Sequence, residues 1–161
     1  MKRLFALGAV AALSLVPVGG IRVLGYARGI AGDLSITSVL LLASAAVAPR
    51  LLDRQELRSL AALVTGGALF LYPMGLGLSS FDPYALGFPG PARGLLLVLS
   101  LVALFAWWRG RILILLAIVL GIGAYRLGLL ESSNLWDYLL DPWLAAVAAG
   151  FTIFGRFSKS R

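Results

Sequence analysis

Cysteine and histidine are both absent from this chain of 161 residues. Without thiols there is no disulfide, no thiolate nucleophile and no sulfur-ligated metal. Without imidazole there is no histidine-ligated haem, no His-based proton shuttle, no common zinc site and no Ser-His or Cys-His catalytic pair. Walker and dinucleotide glycine loops are missing too. Acid is scarce: seven Asp and Glu stand against 14 Lys and Arg, a net charge of +7. That excess does not point to nucleic acid, because the basic residues are scattered between apolar runs and form no contiguous stripe. No cofactor, metal, haem or nucleic-acid partner is therefore expected.

What remains is apolar. Hydrophobic residues make up 60% of the chain and charged ones 13%, too little polar surface to cover a water-soluble domain of this size. The expectation is an all-α, polytopic integral membrane protein: a single transmembrane domain over 1–161, built as a six-helix bundle with both termini cytoplasmic. The helices are expected at about 4–23, 32–48, 57–78, 90–108, 112–130 and 135–155. Met1 to Gly20 has the basic start and apolar run of a signal peptide, but no small-x-small site closes it, so it is taken as a retained helix. Asp33 is the expected cap of the second helix and Pro49 its end. Asp53 followed by Glu56 has the spacing of a capping box for the third, which should bend or end at Pro73. Asp82-Pro83 has the pattern of a short helix start in the turn-rich loop 79–93.

The charges test this topology. Ten basic residues fall on the side of the termini, among them Arg50, Arg54, Arg58, Arg109 and Arg111, whereas Arg22, Arg28, Arg93 and Arg126 fall on the other, as the positive-inside rule requires of a bacterial inner (cytoplasmic) membrane protein. Five of the seven acids and all five tyrosines lie toward the outer end, with Trp136 and Trp143, and Trp107 and Trp108 mark the inner end. Small residues four apart (Gly8 and Ala12, Ser44 and Ala48, Ala62 and Gly66, Ala117 and Gly121, Ala146 and Gly150) are candidate close-packing points.

The segment Trp136 to Trp143, WDYLLDPW, carries the densest chemistry. Counting about twenty residues per crossing from the basic end places Asp141, Arg126, Arg93 and Tyr72 in one layer some 7 Å below the outer boundary. Two structural explanations stand beside a functional one: Arg126 pairs with Asp141 across the last two helices, or Asp141 simply caps a helix that starts at Pro142. The functional alternative is an outward-facing polar pocket in which arginines hold a phosphate or carboxylate, with Arg93, Arg126, Asp141, Tyr72, Asp82 and Asp137 as headgroup-binding residues. FDPY (81–84) and LDPW (140–143) share a pattern that interfacial helix starts account for without an internal duplication. The function expected is a non-enzymatic accessory or lipid-handling component that contacts membrane lipids (an anionic lipid or a lipid-linked sugar) or a partner membrane protein. The alternatives are a small-solute binding or transport subunit, with a closed cavity lined by Tyr72, Arg93, Arg126 and Asp141, and an outer-face phosphate-directed transferase, with two carboxylates converging on one point.

Overall fold

Short polar side chains and prolines decide where each helix of this chain begins. The computed structural model describes residues 16–18, 21–22 and 32–155. Strands β1 (Pro17–Val18) and β2 (Ile21–Arg22) form a minimal antiparallel ladder, and every other regular element among the described residues is helical. Helix α1 (Ile36–Val47) opens at Ser35, whose hydroxyl accepts from the Ser38 amide at 3.2 Å. A 3-10 turn at Pro49–Leu52 leads to Asp53, whose carboxylate accepts from the amides of Gln55 and Glu56 at the start of α2 (Arg54–Pro73). At Pro73 the α pattern gives way to a π turn, Met74–Leu78, in which Gly77 takes φ +88°. This is the interruption that Pro73 led one to expect, since proline has no N–H for the preceding turn.

Asp82 starts a 3-10 turn, Pro83–Gly87, by accepting from the Tyr84 amide at 2.9 Å. Helices α3 (Ala92–Trp108) and α4 (Ile112–Leu127) are joined by three residues, 109–111. Gly128 closes α4 in the left-handed conformation, φ +62°. The amides of Gly128 and Leu129 bond back to the carbonyls of Tyr125 and Ala124 in a Schellman pattern. Asn134 caps the five-residue α5 (Leu135–Leu139), and Asp141 caps α6 (Pro142–Phe154).

Six α-helices occur among the described residues, the number expected but not the same six. Most of the expected helix 4–23 lies outside the described residues, and of those described Pro17–Val18 and Ile21–Arg22 form the β ladder instead. The expected helix 135–155 is broken: Leu140 and Asp141 are extended between α5 and α6, because Pro142 cannot bond the carbonyl of Tyr138 and Asp141 uses its side chain as a cap. The cap of α1 is Ser35 and not Asp33. Glu56 does not fold back on Asp53 to complete a capping box. It reaches α4, where it accepts from the Leu113 amide at 2.9 Å and pairs with Arg111 at 3.8 Å.

Helix α2 packs along α6 and touches α4, whereas α3 packs on α4 and the 83–87 turn. Leu60, Val64 and Leu71 form the buried stripe of α2, meeting Leu113, Ile114, Ala117 and Ile118 of α4, Leu135, Leu139 and Leu140, and Leu144 and Ala148 of α6. Of the small-residue pairs, Ala117 and Gly121 sit at an interface: a Cβ at Gly121 would lie 2.5 Å from Leu139 Cδ2. Ala62 and Gly66 lie on the exposed side of α2, and Gly150 opens onto free space, because the buried faces follow the large apolar residues at helical spacing. Apolar side chains also cover much of the exterior, with Leu97, Leu101, Leu104, Phe105, Trp107 and Trp108 of α3 all more than half exposed. Among the described residues one helical run, Arg54–Leu78, is long and apolar enough to cross a membrane. Ile36–Val47, Ala92–Trp108, Ile112–Leu127 and Pro142–Phe154 are apolar but shorter.

Candidate functional site

The break between α5 and α6 exists because two helices start from one carboxylate. Asp141 is 3% exposed. Its Oδ1 accepts from the Leu144 amide at 2.8 Å, capping α6. Its Oδ2 accepts from the Ser35 amide at 3.0 Å, the Ser35 hydroxyl at 2.8 Å and the Ser38 hydroxyl, at the start of α1. The N-terminal ends of α1 and α6 thus both point at one anion, which suits the positive end of each helix dipole. The expected Arg126–Asp141 pair does not form: Arg126 is exposed on the last turn of α4, and four donors from other residues already saturate the carboxylate. Of the structural explanations, the helix cap is the one observed, extended to a second helix 106 residues away in sequence.

A second network ties α5 to the 83–87 turn. The Tyr84 hydroxyl donates to Asp137 Oδ2 at 2.9 Å, and Ser132 donates to the same oxygen. Burial, then the Asp137 carboxylate, push the Tyr84 phenol up to about 12. Asn134, fully buried, donates to the Tyr84 carbonyl at 2.9 Å and accepts from the Trp136 amide, and the Trp136 indole N–H donates to the Pro83 carbonyl at 2.9 Å. The Tyr138 hydroxyl lies between the carbonyls of Leu130 and Ser132, and its ring meets Tyr125 edge-on at 5.5 Å. Gly87 is required here, since any Cβ would fall 1.8 Å from Asn134 Oδ1.

Arg126 lines an open pocket of about 430 Å³ with Tyr125, Glu131, Ser132, Ser133 and Tyr138. This pocket holds neither Arg93, Tyr72 nor Asp141, so the cavity expected from those four side chains is not assembled around Arg126. Arg93 is exposed in the first turn of α3, and Tyr72 is half-buried near the end of α2, within electrostatic reach of Asp141 and Asp137. Asp82 and Asp137 are joined through Tyr84, one at its amide and the other at its hydroxyl, whereas Asp141 serves a separate donor set.

Sequence reasoning missed Ser35, Ser38, Asn134 and Gly87. The SITS run at 35–38 and the SSN run at 132–134 carry cap-forming side chains, a local signal for helix starts, but nothing local announces which carboxylate they meet. No family model matches the chain, and neither curated proteins nor solved structures show a match to it.

Proposed function

We propose that the chain is a small multi-pass protein of a bacterial inner membrane that handles lipid without chemistry of its own, holding an anionic headgroup in the pocket around Arg126. The observation that carries this is the pocket's composition. An exposed guanidinium at the C-terminal end of an apolar helix shares the pocket with the Ser133 hydroxyl, the ring of Tyr125 and the Glu131 carboxylate, while the Ser132 hydroxyl at its edge already donates to Asp137. Arginine matches the forked geometry of a phosphate, and serine hydroxyls suit a glycerol or sugar. Leu127 and Leu129, 75% and 63% exposed, flank it with the apolar surface that an amphiphile requires.

The bilayer reading is supported by the apolar exterior of α3, by the Arg54–Leu78 run, whose apolar stretch of 18 residues is only 28% buried within the protein, and by the charge distribution. A core helix of a soluble protein is mostly covered, and contiguous apolar surface of this extent is otherwise rare on monomers. Arg111 pairs with Glu56 where α2 meets the start of α4, and Arg54, Arg58 and Arg109 adjoin those two residues in sequence. From that end α1, at 12 residues, and α6, at 13, rise about 18 to 20 Å. In a hydrocarbon core about 30 Å thick, Asp141 would sit roughly 10 Å below the outer boundary. Irregular backbone is tolerated at such depth only where protein encloses it and supplies partners for its polar groups, as it does for the Asp141 carboxylate.

The test is co-flotation with vesicles that contain phosphatidylglycerol or phosphatidylcholine alone, followed by measurement of retained lipid. Arg126→Gln should lower retention of the anionic lipid several-fold and leave insertion intact. Equal retention by the two proteins would remove Arg126 from the site.

A further inference from the structure

Helices α2 and α3 are separated by a slot. Its volume is about 180 Å³, and its walls are Leu60, Val64 and Gly67 of α2, Leu95, Leu99 and Val102 of α3, with α4 behind and Trp136 at one end. Among the described lining residues Thr37 carries the only hydroxyl, and the Trp136 indole N–H is already bonded to Pro83. The slot exists because small residues thin its walls, Gly67 on α2 and Ala117 on α4, while α3 takes its packing from α4 and the 83–87 turn. Its exposed lining residues, Leu63 at 41% and Val98 at 55%, belong to α2 and α3, so it opens sideways between these helices. Trp136 closes the end, with its indole fixed to the Pro83 carbonyl.

We propose that this slot takes one acyl chain of a phospholipid from the surrounding bilayer. Three observations select that occupant. The slot runs along α2 from Leu60 to Gly67, about 10 Å at helical rise, and a helix lying there would need on the order of 800 Å³. A helix is therefore too wide, and an extended peptide would bury backbone N–H and C=O groups that the apolar walls cannot pair. A polar solute would find Thr37 as its sole side-chain partner, and burying unpaired polar groups costs roughly 1 to 3 kcal/mol each. Water is disfavoured for the same reason, and an apolar cavity of roughly 150 Å³ is known to stay dry and accept a hydrocarbon guest. A slender apolar chain entering from the side satisfies all three limits.

The proposal rests on the bilayer reading but not on the Arg126 pocket, and the experiment separates them. Trp107, Trp108 and Trp143 are replaced by Phe, leaving Trp136 as the sole indole, and the protein is placed in phosphatidylcholine vesicles with or without bromine on the acyl chains. Trp136 should lose most of its fluorescence to the brominated chains. Gly67→Leu, which fills the slot where an added Cβ meets only Leu140 Cδ1 at 3.4 Å, should restore most of it, and Leu99→Phe should do the same from the opposite wall. Arg126→Gln should leave the quenching unchanged. Trp136 fluorescence indifferent to bromine, or quenching that persists in both filled variants with helical content preserved by circular dichroism, would overturn the proposal. Protein that fails to float with the vesicles would overturn it together with the bilayer reading.

Discussion

Replacing Asp141 by Asn separates the two structural roles open to this side chain. The carboxylate receives two backbone amides and two hydroxyls. An asparagine can turn its oxygen toward Leu144 or toward Ser35, and in either orientation one buried backbone N–H faces an NH2 group. The serine hydroxyls can rotate and accept, whereas the orphaned amide cannot, at a cost of about 1 to 3 kcal/mol. The surviving bonds also lose their charge assistance, about 1 kcal/mol each, and relief from burying a charge offsets part of that. The expected net loss is about 2 to 3 kcal/mol. Were Asp141 paired with Arg126, Arg126→Gln combined with Asp141→Asn would recover part of it, because an unpaired charge costs more than a neutral pair. In the observed geometry the two changes should add within about 0.5 kcal/mol. Unfolding by SDS titration from mixed micelles, on the four proteins of this cycle, gives the coupling. A coupling of 1 kcal/mol or more, or an Asp141→Asn protein as stable as the parent, would refute the account of the junction.

Gly87→Ala should destabilise by about 1 to 3 kcal/mol, since its Cβ would overlap Asn134 Oδ1 and force the 83–87 turn off α5. Gly66→Ala, whose Cβ enters open space, should be close to neutral in the same unfolding assay. Tyr84 should ionise near pH 12 in an ultraviolet titration, and Tyr84→Phe should remove that transition. Because its folded value is raised from 10.0, the stability it contributes is complete below pH 10 and fades as pH rises toward 12.

The helix starts were legible where a cap and its proline adjoin. Asp82-Pro83 and Asp141-Pro142 each open an element, and Pro73 ends α2 where its missing donor implies. The interruption at Leu140 was hidden because WDYLLDPW continues an apolar helical pattern on both sides, and its only sign is the same Asp-Pro pair. Glu56 shows the opposite failure. Its spacing from Asp53 fits a local capping box, but the amide of Leu113, 57 residues on, competes for the carboxylate and wins beside Arg111. Equal depth brought Arg126 and Asp141 together on paper, whereas depth along an axis says nothing of the face from which a side chain projects. Ser35 and Ser38 lie more than 100 residues from the carboxylate they hold, a separation that no local pattern encodes.

In the proposed topology the Arg54 end and the Tyr84 end of the protein lie on opposite faces of a membrane. A chain without cysteine allows it to be measured cleanly. Single cysteines at Arg54, Tyr84 and Ser132 are treated in intact cells with a membrane-impermeant thiol reagent. Positions 84 and 132 should label at once, and position 54 only after the membrane is opened. Labelling of position 54 from outside intact cells would contradict the account.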